Sequence, residues 1–287
     1  MKVTIVGIGN VGSSLLFSLH ETGFQIVNVV GKDLSILKKL SGRVGCDYSV
    51  NINSVAGDGS ETIIICVKDG QLGVVCNSLK EMKNSLRGRT IFHTSGSVSS
   101  EVFKGILPSS NSGSFHPIQT FNKITYKNNH LFEGITIGIE GGKKCIKLMR
   151  EIALKFNSVT LNIPIDKKPL YHLASVIASN FLVCYIDIIN DIMKTVNKNI
   201  TDVSKVFSPI ISKTLNNVYT YGVDKSLTGP IVRNDIKTLK AHLSSIDNNN
   251  DLQLFYKTIS KRAVEIAYRN GKMDKDKYNS FIKLLSY

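Results

Sequence analysis

The chain has 287 residues, 42% of them hydrophobic, and its 36 lysines and arginines outnumber 22 aspartates and glutamates, for a formal net charge of +14. This length and apolar content exclude a disordered chain and predict a soluble protein with one large domain or two ordinary ones. The basic residues are scattered and not interleaved with aromatic ones, so we expect no nucleic-acid partner.

The cysteines and the apolar stretches predict a cytoplasmic location. Five cysteines form no C-x-x-C pair and mostly lie in apolar runs, as reduced thiols do. No signal peptide is expected, because residues 1–6 already form a predicted strand. The longest apolar stretch, Leu173 to Ile186, is interrupted by polar residues, so we predict a buried helix there and no membrane span.

The first motif is a glycine-rich turn. A β-branched run, Val3 to Val6, leads into the spacing G-x-G-x-x-G and then into an apolar stretch at helical spacing. Strand, tight turn and helix in this order place backbone N–H groups against the pyrophosphate of a dinucleotide. A turn with only a structural role is the alternative. The predicted cofactor-binding residues are Gly7, Ile8, Gly9, Asn10, Val11 and Gly12.

The end of the second predicted strand, Gln25 to Val30, bears on the choice of cofactor. An acidic residue at this position binds the ribose hydroxyls of NAD, whereas a basic residue suits the 2′-phosphate of NADP. Lys32 lies nearest the strand end, and Asp33 has a simpler role as the cap of the next helix. We therefore favour NADP over NAD, with Asp33 as the reason for keeping NAD open.

Further predicted strands alternate with helices as far as residue 163. They lie at residues 46–49, 61–67, 90–93, 113–115, 135–140 and 159–163. Ligands of such parallel sheets bind beyond the carboxyl ends of the strands. We therefore predict cofactor contacts from Cys66, Val67, Thr94 and Ser95, and Ser95 also suits a substrate. A turn rich in serine and threonine that caps the next helix is the alternative, and the two roles are compatible.

His116 follows the short strand at 113–115 and precedes a proline. Because proline disfavours the α region for the residue before it, we predict an extended backbone and a fixed imidazole. His116 either lines the substrate site or satisfies a backbone carbonyl.

From Asp166 onward the pattern is helical, so we predict domains at 1–165 and 166–287.

The first helix of the second domain is predicted from Leu170 to about Thr195. Its His172, Ser175 and Ser179 share one face, with Asn180 beside it, and polar groups on an apolar helix need partners or a cavity. We predict that these four residues line the catalytic site; ordinary buried polar residues are the alternative. A helix from Thr201, with Thr201 as its cap, should follow, and Gly229-Pro230 should start another. Arg233 there suits an anionic substrate group, unless it pairs with Asp235.

Several of these stretches together resemble a known family. They are Gly7 to Gly12, His93-Thr94-Ser95-Gly96, Ser114-Phe115-His116-Pro117, Tyr171 to Phe181 and Leu227 to Asp235. Nearly the whole chain resembles two-domain proteins of the DUF2520 type. The resemblance implies a Rossmann-like doubly wound, mostly parallel α/β sheet that binds NADP, followed by a smaller all-α domain of the 6-phosphogluconate dehydrogenase C-terminal type.

The resemblance also implies kinship with pyrroline-5-carboxylate reductase and the β-hydroxyacid dehydrogenases, which transfer hydride in a cleft between domains and often dimerise through the helical domain. On that basis His172 would transfer a proton, Ser175, Ser179 and Asn180 would orient a small anionic substrate, and Ser95, His116, Thr228 and Arg233 would bind it. The relatives' lysine, followed by asparagine four residues later, is missing, because Lys167 and Lys168 precede the predicted helix. A cofactor-binding sensor without turnover is therefore the alternative to an oxidoreductase.

Overall fold

The computed structural model describes residues 1–199 and 202–286, which form two compact units, Met1–Tyr185 and Ile186–Tyr287. The first unit contains one sheet of eight strands. In chain order they are β1 (Lys2–Val6), β2 (Gln25–Val30), β3 (Asp47–Ser49), β4 (Thr62–Ile65), β5 (Thr90–His93), β6 (Ser112–Pro117), β7 (Thr136–Gly141) and β8 (Val159–Asn162). Their order in the sheet is β3-β2-β1-β4-β5-β6-β7-β8. Only β6 and β7 pair antiparallel, so the predicted doubly wound, mostly parallel sheet is confirmed.

Four helices connect the strands and bury both faces of the sheet. They are α1 (Asn10–Glu21), α2 (Leu34–Val44), α3 (Asp69–Glu81) and α4 (Lys143–Lys155). Side chains of β4 alternate between the two apolar cores, with Ile64 in one and Ile63 and Ile65 in the other. A strand that packs on both faces needs a continuous apolar run, which is what 61–67 supplies.

Local sequence explains where α2 begins and ends. The carboxylate of Asp33 accepts a hydrogen bond of 3.0 Å from the backbone N–H of Ile36, which confirms the predicted cap. Gly45 ends the helix in the left-handed region with φ of 70°. Asp33 and Gly45 therefore set the two ends of α2.

The strand that carries His116 is longer than predicted. β6 runs through Pro117 rather than ending at residue 115, because β7 lies antiparallel beside it and pairs Gly138 with His116. His116 is therefore a strand residue whose backbone is fixed by the sheet, and the extended conformation expected before proline is confirmed.

The helix after β8 corrects two predictions. α5 (Lys168–Val196) begins at Lys168, so this lysine lies in the first turn and does not precede the helix. The predicted burial is wrong, since Lys168 is the only residue of α5 that is buried, whereas Leu170 and Val183 are 65% and 68% exposed. Apolar spacing shows which face avoids water but not what covers it.

Length and composition alone would allow the helical stretch Ile165–Val196 to cross a membrane, with a mean hydropathy of 1.7. By itself, one such helix is weak evidence for a membrane span. The two compact units divide within α5, after Tyr185, twenty residues beyond the proposed boundary at 165/166. The start of α5 therefore belongs with the sheet.

In its described residues, the second unit contains the end of α5 and five further helices. They are α6 (Val203–Tyr221), α7 (Val223–Ser226), α8 (Ile236–Ser245), α9 (Asn250–Arg269) and α10 (Lys275–Leu285). Leu239, Val264 and Phe281 are fully or almost fully buried in its core. The predicted cap Thr201 lies outside the described residues. The N-cap of α6 is Asp202.

Gly229-Pro230 does not start a helix. Residues 230–234 form one turn that ends at Asn234 with φ of 58°, and α8 begins after Asp235, whose carboxylate accepts from the N–H of Thr238 at 3.1 Å. A left-handed residue stops the first turn from continuing, so the aspartate that follows it supplies the actual cap.

Candidate functional site

The glycine turn after β1 has the backbone geometry that a pyrophosphate requires. Gly7 has φ of +96°, and a Cβ on Gly12 would lie 2.0 Å from the carbonyl oxygen of Gly7. The space over Gly9 is open, because a Cβ on this residue would have no heavy atom of the described chain within 4 Å. Since no side chain caps α1 at Gly9, the backbone N–H groups of the first turn point to a ligand-binding role.

A cavity of about 810 Å³ lies beside this turn, at the carboxyl ends of β1, β2 and β4. Its lining includes Gly7, Ile8, Gly9, Lys32, Cys66 and Val67. Small-molecule sites usually have volumes of about 300–1,000 Å³. Of the remaining predicted turn residues, Asn10 donates its amide to the carbonyl of Phe121 at 2.9 Å, and Val11 is half-buried on α1. The residues present fit a dinucleotide.

Lys32 and Asp33 both line this cavity, but they have different partners. The Lys32 ammonium donates to the amide oxygen of Gln71 at 3.2 Å and is exposed. The Asp33 carboxylate is engaged at the start of α2. The lysine is therefore the more adjustable of the two charged groups at the position where cofactors differ.

The residues after β4 and β5 continue the same sheet edge. A Cβ on Gly7 would lie 2.7 Å from the carbonyl oxygen of Cys66, and Thr94 donates its N–H to Ile65 at 3.0 Å. Burial raises the pKa of the Cys66 thiol to about 12, against a lowering hydrogen bond with Thr94. Cys66 is therefore a neutral wall residue and not a nucleophile.

Ser95 has a structural role within the turn after β5, and it does not cap the next helix. Its hydroxyl accepts from the N–H groups of Ser97 at 3.3 Å and Val98 at 3.1 Å. Its own N–H donates to Nδ1 of His93 at 3.2 Å. Burial lowers the pKa of His93 to about 4, with the positive charge of Lys168 adding to it. A neutral buried histidine thus shapes the turn that carries Ser95 and Gly96.

Two histidines meet over Gly96. The rings of His116 and His172 lie 6.0 Å apart between centroids. A Cβ on Gly96 would lie 2.8 Å from Nε2 of His116 and 2.7 Å from Cδ2 of His172, so only glycine allows both rings to approach this turn. The structure therefore brings together two of the residues predicted from distant parts of the sequence.

The face of α5 that follows His172 is half-buried. Ser175 donates to the backbone carbonyl of Tyr171 at 3.3 Å, and Ser179 lies one turn farther on, half-buried. Asn180 is exposed. His116, His172 and the neighbouring side chains of α5 form what we call the histidine cluster, to which Ser175 also belongs. Roles for Ser179 and Asn180 stay predictions.

Sequence reasoning missed the charged part of the cluster. The Lys168 ammonium, 2% exposed, donates to the hydroxyl of Ser114 at 2.7 Å and lies 3.9 Å from Oε2 of Glu140. Ser114 donates in turn to the carbonyl of Ser95 at 3.0 Å. Glu140 accepts from the N–H and hydroxyl of Ser100 at 2.8 and 2.5 Å. This network fixes the first turn of α5 onto β6 and β7.

Tyr171 was also missed. Its hydroxyl lies 2.7 Å from Nδ1 of His116, and a Cβ on Gly138 would lie 2.3 Å from the same oxygen. The spacing of Lys168, Tyr171 and Ser175 along one helix face, and a glutamate inside the apolar strand at 135–140, were the available signals. Neither signal identifies its partner, because the contacts join residues 28 or more positions apart.

Thr228 and Arg233 belong to the second unit, where both are exposed. Arg233 precedes α8 and its charge contributes to lowering the pKa of Asp235, after the hydrogen bonds from Thr238. Their contact with substrate stays a prediction. In the part of the chain that the structure describes, no group of three or more histidines, cysteines or carboxylates is suited to a metal ion.

Two family descriptions match separate parts of the chain. Residues 2–94 match the family described as NADP oxidoreductase, coenzyme F420-dependent, and residues 135–263 match a domain of unknown function, DUF2520. No curated protein matches the sequence.

Solved structures share the fold at low sequence identity. A Bacteroides fragilis protein described as a candidate NADP oxidoreductase is 23% identical, with a TM-score of 0.70, covering 91% of this chain and 97% of its own. A Thermotoga maritima protein is 24% identical, with a TM-score of 0.73 and coverage of 93% and 98%. The pyrroline carboxylate reductase of Plasmodium falciparum, with NADP bound, is 13% identical, with a TM-score of 0.59 and coverage of 100% and 98%.

Proposed function

Since the chain joins an N-terminal NADP-oxidoreductase segment to a C-terminal DUF2520 segment, we propose that it is an NADP-dependent oxidoreductase. It transfers a hydride to the C=O or C=N bond of a small, anionic metabolite. The family descriptions support the oxidoreductase class and a nicotinamide cofactor, and the Plasmodium relative carries NADP.

One observation carries this proposal: the glycine turn and the histidine pair lie along one edge of one sheet. Gly7 abuts Cys66, the N–H of Thr94 donates to the carbonyl of Ile65 beside Cys66, and Gly96 two residues later lies against His116 and His172. In doubly wound sheets this edge is where ligands bind. A nucleotide held at the turn would extend along the strand ends toward the imidazoles.

Several side chains of the protein would take part in the reaction. When bound, NADPH supplies the hydride, which adds to the carbon of the double bond, and one proton must reach its oxygen or nitrogen. His172 is the proposed proton donor, because an imidazole can exchange a proton near neutral pH. The loop of Ser95 and Gly96 would position the reacting group, and Arg233 and Thr228 remain candidates for binding its anionic part.

The test is NADPH oxidation with a panel of keto and imino acids, followed by absorbance, for wild type and His172→Ala. We expect turnover of at least one compound and its loss in the variant, with NADPH affinity retained. Tight NADPH binding with no turnover across the panel would favour the alternative, a sensor or regulatory protein. Absence of binding of either nicotinamide cofactor would overturn both.

The preference for NADP rests on Lys32. We propose that its ammonium binds the 2′-phosphate and gives up its hydrogen bond to Gln71 when the cofactor binds. Lys32→Ala should weaken NADPH binding by about 1.5–3 kcal/mol, the value of a hydrogen bond to a charged group, and leave NADH binding unchanged. Lys83→Ala is the matched control, because Lys83 lies between α3 and β5, at the amino ends of the strands. Equal losses for both cofactors would contradict the assignment.

We further propose a homodimer whose interface includes α5. Leu170, Leu173, Ile177 and Phe181 form an apolar stripe that is 44–65% exposed, and contiguous stripes of this kind mark protein contacts. The double variant Ile177→Glu, Phe181→Glu should halve the mass in light scattering. Leu154→Glu on α4, where Leu154 is 78% exposed, should not. A monomeric wild type would refute the dimer.

A cytoplasmic location is part of the same proposal. The first turn of α5 holds the buried Lys168 and contacts the sheet, which argues against α5 as a membrane span. Cell fractionation should recover the protein in the soluble fraction, and recovery with the membranes would contradict the proposal.

A further inference from the structure

The contact between Tyr171 and His116 can place the shared proton in two ways. Oη of Tyr171 lies 2.7 Å from Nδ1 of His116, and the rings meet edge to face at 89°. Either the phenol donates to Nδ1, which leaves the imidazole proton on Nε2, or Nδ1–H donates to the phenol oxygen. These two arrangements present opposite chemistry at Nε2, a donor in the first and an acceptor in the second.

The surroundings of the phenol decide between them. The Tyr171 oxygen lies against Gly138, where a Cβ would lie 2.3 Å from it. Burial raises the pKa of Tyr171 to about 12, so the phenol keeps its proton at neutral pH. Among the described residues, Nδ1 of His116 is the acceptor at hydrogen-bond distance from this hydroxyl. If Nδ1–H donated instead, the half-buried phenol O–H would be left without an acceptor there, so the O–H is directed to Nδ1.

The groups facing His116 keep the imidazole neutral. His172 and Lys168 of α5 place positive charge beside it, and the negative charge of Asp69 at the start of α3 has a smaller influence. Glu140 of β7 partly neutralises Lys168, and His93 of β5 is itself held uncharged. Burial is the largest influence, and together these groups lower the pKa of His116 to about 4.

The Nε2 edge of His116 points to the turn after β5. In the described part of the chain, the contact with Tyr171 is the only hydrogen bond of this side chain. A Cβ on Gly96 would lie 2.8 Å from Nε2, so the ring packs directly on this glycine. His116 is half-buried and not fully enclosed. A ligand atom that reaches Nε2 would meet an N–H group if the imidazole proton is on this nitrogen.

We propose that Tyr171 is a positioning residue that holds His116 as a neutral imidazole with its proton on Nε2. His116 then donates a hydrogen bond to the oxygen or nitrogen of the substrate double bond while His172 supplies the proton. Neutral imidazoles polarise carbonyl groups in this way where a cation is excluded. The donor role rests on the proposed function, whereas the tautomer does not.

The test is two-bond ¹H–¹⁵N correlation NMR of the histidine-labelled, full-length protein, with His116 assigned from His116→Gln. We expect the Nε2–H pattern at neutral pH, and in Tyr171→Phe a mixture in which the Nδ1–H form increases. The chain offers a matched control in the second unit, where His242 Nδ1 lies 2.8 Å from Oη of Tyr256 with the rings at 89°. Tyr256→Phe should change the signals of His242 alone.

An Nδ1–H pattern for His116 in wild type, or an unchanged pattern in Tyr171→Phe, would overturn the assignment. If a substrate is found, Tyr171→Phe should lower kcat by about tenfold, as expected for one lost hydrogen bond, with KM for NADPH unchanged. A failed turnover assay with the expected NMR pattern would refute the enzyme and not the tautomer. Normal turnover in Tyr171→Phe would refute the positioning role.

Discussion

The two regions at the carboxyl edge of the sheet, the glycine turn and the histidine cluster, differ in which atoms form them. The turn of Gly7 to Gly12 presents backbone groups to a ligand, and its shape requires glycine, because a Cβ at Gly7 or Gly12 would clash with neighbouring atoms. The cluster around His116 is made of side chains, including a buried lysine and glutamate from different elements. The first region can be recognised from ten consecutive residues, whereas the second exists only when β6, β7 and α5 are assembled.

Removing one charge of the cluster should have the largest effect on stability. Lys168→Met leaves Glu140 buried without its cation, which we expect to lower the free energy of unfolding by about 3–5 kcal/mol. Urea denaturation measures the loss. The double variant Lys168→Met, Glu140→Gln should recover most of it, and a single variant as stable as wild type would show that the pair is not buried in solution.

The histidines of the cluster should make stability depend on pH. The pKa values of His93 and His116 fall from 6.5 to about 4 in the folded state, so below pH 6.5 the unfolded chain binds more protons. Each histidine therefore contributes its full share to the free energy of unfolding above pH 6.5. This stabilisation is lost as the pH falls to about 4, by about 3 kcal/mol per histidine.

Urea midpoints across this pH range, for wild type and His116→Gln, should show a shallower dependence in the variant. His130→Gln is the control of opposite sign, because the contact with Glu133 raises the pKa of the exposed His130. Its stabilising effect is present at low pH and is lost as the pH rises. Identical pH profiles for wild type and His116→Gln would contradict the buried, neutral state of His116.

The glycine turn should separate stability from binding. In Gly12→Ala the Cβ would meet the carbonyl oxygen of Gly7, and we expect a loss of about 1–3 kcal/mol from overpacking. Gly9→Ala has open space for its methyl group, so stability should be unchanged while NADPH binding weakens by at least about tenfold. Urea denaturation and fluorescence titration measure the two effects; full NADPH affinity in Gly9→Ala would leave the turn without a phosphate role.

Local signals predicted the parts of the molecule that depend on neighbouring residues. The cap at Asp33, the β4 strand and the helix after the glycine turn each follow from a few adjacent residues, and the structure confirms them. Tyr171, Glu140 and Lys168 could not be found in this way. Their roles arise from tertiary contacts that no local pattern specifies.

Two errors have the same physical origin. The apolar residues of α5 indicate a face that avoids water, but burial within the chain does not follow, since another molecule can cover it. The length of β6 also depended on β7, which pairs with residues 113–117 from twenty or more positions away. Neither the length of β6 nor the covering of the apolar face of α5 can be read from the residues of that element alone.

The most direct test of one continuous site is NADPH titration followed by the histidine NMR signals. Saturation with NADPH should shift the signals of His116 and His172, while those of His130 and His242 stay unchanged, and Gly9→Ala should abolish the response at the same NADPH concentration. NADPH binding without any change at His116 and His172 would show that the glycine turn and the histidine cluster are separate features.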